Sequence, residues 1–219
     1  MGLLLMLMTV GGLIVAAILL AIAWLNESTW LKKFVLGGVA IWFGFYVIVL
    51  LATSFNSEER SLGLNEPKEF CGFYLDCHMH AAVTGVRRAK TIGDRKAKGE
   101  FYIVNVNIFS DAAKATLGLI TVDAQAIDAN GNMYTRDELA EEQLHPQLPF
   151  ETQIGPEENF DKEIVFDLPV GVEQPKLDIR EGYGIDHVIE AFLIGDEDSI
   201  FHKRNYFKLQ EQNIASSVK

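Results

Sequence analysis

Two runs without a charged side chain constrain most of what this chain can become. The first, GLLLMLMTVGGLIVAAILLAIAWL, extends from Gly2 to Leu25, and the second, FVLGGVAIWFGFYVIVLLATSF, from Phe34 to Phe55. About 20 apolar residues are enough to cross a bilayer core as a helix. Inside lipid a helix satisfies its own backbone hydrogen bonds, so each run is read as a transmembrane helix, about 3–25 and 34–55. A cleaved signal peptide would want a basic leading region, a shorter apolar stretch and a small-residue cleavage site. Only the α-amino group precedes the first run, and the run is long, so it is expected to stay in the protein.

The eight-residue connection NESTWLKK makes the two spans a hairpin. Lys32 and Lys33 lie in it, whereas the segment after the second span, NSEERSLGLNEPKEF, carries more acid than base. The excess of Lys and Arg on cytoplasmic loops then puts the loop in the cytoplasm of a bacterial inner membrane and the C-terminal domain on the periplasmic side. Trp24 and Trp30 fall where interfacial aromatics belong. Gly11-Gly12 and Gly37-Gly38 offer small surfaces on which the two helices could pack closely.

Charge separates the rest of the chain from this anchor. The net charge of the 219 residues is −11; up to Phe55 it is +1, from Glu27, Lys32 and Lys33, so the remainder carries −12. A domain that acidic repels phosphate backbones, and nucleic acid is excluded as a partner. Residues 56–69 read as a polar stalk, with Pro67 near its end. Residues 70–210 read as an extracytoplasmic all-β domain, and 211–219 as a tail.

The expected strands are HAAVTGVRR, EFYIVNVNIF, TLGLITVDAQAI with its partner across Asn130-Gly131, KEIVFDLP stopped by Pro169, PKLDIRE, DHVIEAFLIG and SIFHKRNYFKLQ. Asn130-Gly131 is a hairpin signal of type I′. DELAEEQL is the one helical stretch. Strands and helices do not alternate, so the pattern fits an antiparallel sandwich of about seven strands rather than a doubly wound sheet.

Three segments carry a family resemblance: GEFYIVNVNIFSDA, DAQAIDANGNMYTRDE and VFDLPVGVEQPKLDIR. They contain a G-x-F-x-x-V-x-V strand, a strand ending in D-x-x-G-x-x-Y, and an F-x-L-P strand. Together they resemble the DUF4352 (Ig-like, telomeric-repeat-binding-factor-like) group of bacterial extracytoplasmic domains, over roughly Ala81 to Leu209. The resemblance implies an Ig-like β-sandwich with no known catalysis. The chain departs from antibody-type domains: Cys71 and Cys77 are too close in sequence to bridge two sheets, and every Trp lies at or before Trp42.

The segment FCGFYLDCHMH, residues 70–80, holds both cysteines and two of the five histidines. Three readings stay open. An exported domain with two cysteines favours a Cys71–Cys77 disulfide, provided a tight turn brings them together. Cys71, Cys77, His78 and His80 could instead hold copper or zinc, although the spacing matches no familiar site. The cysteines could also be reduced and buried.

The basic stretch RRAKTIGDRKAK supplies Arg87, Arg88, Lys90, Arg95, Lys96 and Lys98, a candidate surface for anionic lipid or an acidic partner, against the plainer reading of a solvated hairpin tip. DANGN at 128–132 reads as a turn rather than a calcium loop, because its glycine is misplaced and no glutamate closes it. GDEDS at 195–199 reads as a solvated turn. His145, His187 and His202 sit beside no nucleophile motif, and nothing marks a catalytic residue or calls for a cofactor.

The function expected is that of a non-catalytic accessory subunit of a larger bacterial membrane complex, of the respiratory or photosynthetic kind. Its sandwich would contact partner subunits while its helices meet the lipid bilayer. The spans carry no ionisable residue of the sort that marks transport paths. The alternative is a metal-binding or metal-delivery protein using Cys71–His80.

Overall fold

The computed structural model describes residues 2–72 and 76–210. They fall into two compact units, one up to residue 59 together with 184–204, the other from residue 60 to 183 together with the described residues from 205 on.

The first unit contains two helices, α1 (Gly2–Leu25) and α2 (Thr29–Phe55). Ser28 caps α2, its side chain accepting a hydrogen bond from the Leu31 N–H. At about 1.5 Å per residue both are long enough to span a bilayer. They pack antiparallel as a transmembrane hairpin, with Ala16, Ala23, Val35, Tyr46 and Leu50 buried. Trp42 Nε1 donates to Thr9 Oγ1 at 3.0 Å, tying one helix to the other. At the loop end the Lys32 ammonium lies 4.7 Å from the Trp24 ring, and Trp30 stacks on Phe34. The glycine pairs do not serve the hairpin. A Cβ added at Gly11, Gly12, Gly37 or Gly38 would meet nothing within 4 Å, so alanines, not glycines, form the close contact.

The same unit includes α4 (Gly184–Glu190) and the turns that follow it. DHVIEAFLIG is therefore not a strand. Ile185, Val188, Ile189 and Phe192 recur at helical spacing, and the 3.6-residue period wins over β-propensity. Tyr46 Oη donates to the Phe192 carbonyl at 2.6 Å, the Lys203 N–H donates to Ser57 Oγ at 2.8 Å, and Phe201 stacks on Phe55.

The second unit is an Ig-like β-sandwich. One sheet contains β2 (Lys68–Gly72), β3 (Asp76–Ile92), β4 (Arg95–Ser110) and β7 (Asn159–Leu168), in that order and antiparallel throughout. The other contains β1 (Arg60–Leu62), β9 (Asn205–Lys208), β8 (Lys176–Glu181), β5 (Val122–Ile127) and β6 (Met133–Thr135), in the order β1-β9-β8-β5-β6. β1 pairs with β9 in parallel; the remaining pairs are antiparallel. The expected stalk is thus part of the sandwich from Arg60 onward, because β1 and β2 each find a partner strand. SIFHKRNYFKLQ contributes only β9. The expected tail, 211–219, lies outside the described residues.

The core lies between the sheets, where Tyr102, Val104, Val106 and Ile108 of β4 meet Ile164, Phe166, Leu177, Ile179 and Phe207. β4 alternates imperfectly in sequence because both of its faces are covered. Phe101 and Ile103 point the other way, into a second cluster with Ile92, Val165 and Ala140. Ala140 belongs to α3 (Glu138–Glu141), capped by Asp137, whose side chain accepts from the Ala140 N–H. The buried Glu141 holds α3 to the sheet: it accepts from the Val165 N–H at 3.0 Å and takes both Nε and Nη2 of Arg136.

Turn chemistry explains the β3–β4 and β5–β6 hairpins. β3 and β4 meet across Gly93-Asp94, and Gly93 takes φ 52°, the positive value that the first position of a two-residue hairpin turn requires. The β5–β6 loop is not the expected type I′ turn. Gly131 alone takes positive φ there, and the Asp128 carboxylate accepts from the N–H groups of Asn130 and Asn132.

Candidate functional site

Four sets of residues in the sandwich bear on function, and the first is the cysteine segment. Cys71 ends next to Cys77 because β2 and β3 pair antiparallel on either side of it, and the two form a disulfide with Cα atoms 3.9 Å apart. The metal site of Cys71, Cys77, His78 and His80 is therefore corrected: both sulfurs are bonded to each other and no thiolate is left to ligate. The buried-thiol reading falls with it.

The two histidines find a different partner. His78 Nδ1 lies 2.7 Å from Asp111 Oδ1, and His80 Nε2 lies 3.2 Å from Asp111 Oδ2. They share a face because they are two apart on β3, and the end of β4 brings Asp111 to that face. The His80 ring also stacks on Phe109, its cross-strand neighbour. The hydrogen bond from His78 holds the Asp111 carboxyl below the usual range, with His80 adding to it against desolvation. Sequence reasoning missed Asp111, which stands 33 residues from His78 and carries no motif.

The basic stretch does not act as a set. Arg87 pairs with Glu163 at 2.9 Å, Arg88 and Lys90 with Glu100 at 3.6 and 3.4 Å, and Arg95 with Asp137 at 2.8 Å. Arg87 thus ties the long β3–β4 hairpin to β7, Arg88 and Lys90 link its own two strands, and Arg95 ties it to the cap of α3. For Lys96 and Lys98 no side-chain partner is found among the described residues. The backbone N–H groups of Lys98 and Gly99 donate to the Asp167 carboxylate at 2.8 and 2.9 Å, which ties the turn end of the hairpin to the end of β7.

Those two lysines line the fourth feature, an open groove of about 990 Å³ at one end of the sandwich. Its walls are the turn end of the β3–β4 hairpin, β6, the start of α3 and the chain leaving β7 at Pro169. Met133, Leu139 and Val170 stand in it more than half exposed. β6 is the end strand of its sheet, so its outer edge pairs with no strand among the described residues. Exposed apolar side chains beside an unpaired edge and two free cations make a surface suited to a peptide. Sequence reasoning named the lysines but not the groove, because its walls come from three separated segments.

DANGN is a turn closed by its own aspartate. Asp128 also accepts from Asn132 Nδ2 and Tyr134 Oη, and the Asn132 side chain leads the hydrogen bonds that lower its carboxyl pKa. His145 pairs with Glu163 and His202 Nδ1 contacts the Lys203 carbonyl; no Ser or Cys nucleophile is paired with either among the described residues.

The family profile described as a domain of unknown function, DUF4352, matches residues 76–188. The chain belongs to the DUF4352 family. Among solved structures it is similar to MPT63, a secreted protein of Mycobacterium tuberculosis, at 10% identity over 70% of this chain and 99% of that one, with a TM-score of 0.42. The yjhA protein of Bacillus subtilis matches at 12% identity over 68% of this chain and 98% of that one, with a TM-score of 0.43. An uncharacterized β-sandwich protein of Clostridium difficile matches at 10% identity over 71% and 98%, with a TM-score of 0.38. No curated protein matches. This DUF4352 protein combines a β-sandwich with an N-terminal apolar hairpin.

Proposed function

We propose that this DUF4352 protein is a non-catalytic accessory subunit of a larger bacterial membrane complex. It is anchored in the inner membrane with its hairpin loop in the cytoplasm, and its sandwich grips a partner protein outside. The observation that carries this reading is the groove at the free edge of β6. Met133, Leu139 and Val170 offer apolar contact, and Lys96 and Lys98, whose side chains have no acidic partner among the described residues, supply positive charge in a groove that Glu138 and Asp167 also line. The chemistry fits an extended partner segment that alternates apolar and acidic side chains and adds to the sheet edge by backbone hydrogen bonds. Opposite charge at such a rim raises association rate and selects against wrong partners. The open glycine faces of α1 and α2 support the same reading, since small residues allow a partner helix to approach closely.

The test is site-specific photo-crosslinking in cells, with the probe at Leu139 in the groove and at exposed Lys114 as a control. The expected result is one discrete adduct from Leu139, absent from Lys114 and lost in the double variant Lys96→Glu, Lys98→Glu. A Leu139 probe without an adduct, on protein that extracts in mild detergent as a lone monomer, overturns the proposal.

A further inference from the structure

The segment 184–201 is built inside out for water. Every exposed residue in it is apolar or glycine: Ile185, Val188, Phe192, Ile200 and Phe201, with two glycines. Its ionisable residues, Asp186, His187, Glu190, Asp196, Glu197 and Asp198, are all partly buried. GDEDS is therefore not a solvated turn. A surface segment in water shows the reverse pattern, with charges out and large apolar side chains in.

The charged groups face one another instead. His187 Nδ1 lies 2.9 Å from a Glu190 carboxylate oxygen, and Arg204 reaches Asp198 at 2.6 Å. Asp196 accepts from the Asp198 N–H at 2.9 Å, and the buried Ser199 hydroxyl donates to the Leu193 carbonyl. Burial pushes the Glu190 and Asp196 carboxyls upward, and their acidic neighbours push the same way. The ionisable side chains of the segment are thus turned towards one another, and the exposed face is left to the apolar ones.

The apolar face continues the surface of the spanning helices. Phe201 stacks on Phe55, the last residue of α2, with ring centres 5.5 Å apart. The Phe192 carbonyl accepts from Tyr46 Oη, and Tyr46 lies nine residues, roughly 13 Å of helix rise, before that end. The backbone of Ile194 lies against Gly2 at the start of α1, where no Cβ would fit. The segment therefore reaches down the flank of both helices, beside side chains that are themselves exposed and apolar.

We infer that residues 184–201 form a membrane-embedded wedge, with Ile185, Val188, Phe192, Ile200 and Phe201 seated in the acyl and headgroup region of the bilayer alongside the hairpin. The occupant of this face is lipid. The argument is continuity: the apolar face adjoins helices whose exposed residues are apolar or glycine from Gly2 to Leu25 and from Phe34 to Phe55. The inference rests on the reading of the hairpin as a membrane anchor. It gives the chain a third point of attachment, more than a hundred residues after the second span.

The test uses the full chain in lipid nanodiscs of phosphatidylethanolamine and phosphatidylglycerol. Single-cysteine variants Ile41→Cys, Val188→Cys and Asn130→Cys carry an environment-sensitive fluorophore, for α2, the wedge and the β5–β6 loop respectively. The Val188 label is expected to be quenched by shallow doxyl lipid and to be several-fold less accessible to iodide than the Asn130 label, while deep doxyl lipid quenches the Ile41 label. A Val188 label as open to iodide as the Asn130 label, with Ile41 still quenched, overturns the wedge alone. An unquenched Ile41 label overturns the anchor and the wedge together. Hydroxyl-radical footprinting of the unmodified protein supplies a check free of substitution. Phe192 and Phe201, 51% and 65% exposed in the chain itself, are expected to be protected in lipid-only discs. Protection that appears only in native membranes assigns the face to a protein and overturns the lipid assignment.

Discussion

Lys68 shows how much a single buried charge can carry. Its side chain is 3% exposed, its ammonium donates to the Ile179 carbonyl at 2.8 Å, and it lies 3.9 Å from Asp178, which is 2% exposed. It reaches from β2 in one sheet to β8 in the other, so the contact crosses the core. Removing one member of such a pair leaves the other charge without full compensation. Lys68→Met is expected to destabilise the sandwich by on the order of 3 kcal/mol, softened because Arg180 also bonds Asp178. Urea unfolding followed by circular dichroism measures it, and an unchanged midpoint would mean that the pair adds nothing. The sequence did not announce this role, since Lys68 sits in a stretch that reads as a polar stalk. Asp111 was hidden for the same reason: a residue's partner across a sheet is set by register, which no local pattern prints. The cysteines were legible because their constraint is local, with a sequence separation of 6.

At the scale of elements, the sheet segments were read best where turn chemistry and β-rich composition agreed, as in β7 ending before Pro169. They were read worst where an apolar run served two faces or another unit. β4 looks irregular because α3 covers its outer side, and α4 was taken for a strand because its run is short and rich in β-branched residues. The β2–β3 edge has its own stability device. Cys71–Cys77 closes a loop of about six residues, for which loop entropy gives roughly 2 kcal/mol. β2 is an end strand, so this contribution acts where fraying is easiest. Cys77→Ser is expected to lower the unfolding free energy by about that amount. Amide exchange at Phe70 and Met79, which pair across the two strands, is expected to quicken before exchange in β4 does. Equal exchange with and without the bridge would show that the β2–β3 ladder holds alone.

At the scale of the whole molecule, two independent lines bear on which side of the membrane the sandwich occupies. Lys32 and Lys33, which the structure places near the start of α2 at the loop end of the hairpin, favour a cytoplasmic loop. The disulfide favours an oxidising compartment for the domain, because cytoplasmic reductants keep such thiols open. Both assignments are compatible only if α1 is retained, so that the chain crosses twice and returns to its starting side. Thr9 of α1 bonds Trp42 of α2, and Ala16 and Ala23 are buried in the hairpin, so losing α1 would strip α2 of its packing partner. The expected outcome in intact cells is that a membrane-impermeant maleimide labels Asn130→Cys and not Asn26→Cys, and that both label after the cells are opened. Reversal of charge in the loop, Lys32→Glu with Lys33→Glu, is expected to weaken that asymmetry, since the orientation then loses its positive side. Labelling of Asn26→Cys in intact cells would put the loop outside. The sandwich would then stand in a reducing compartment, where its disulfide could not be a resting feature of the protein.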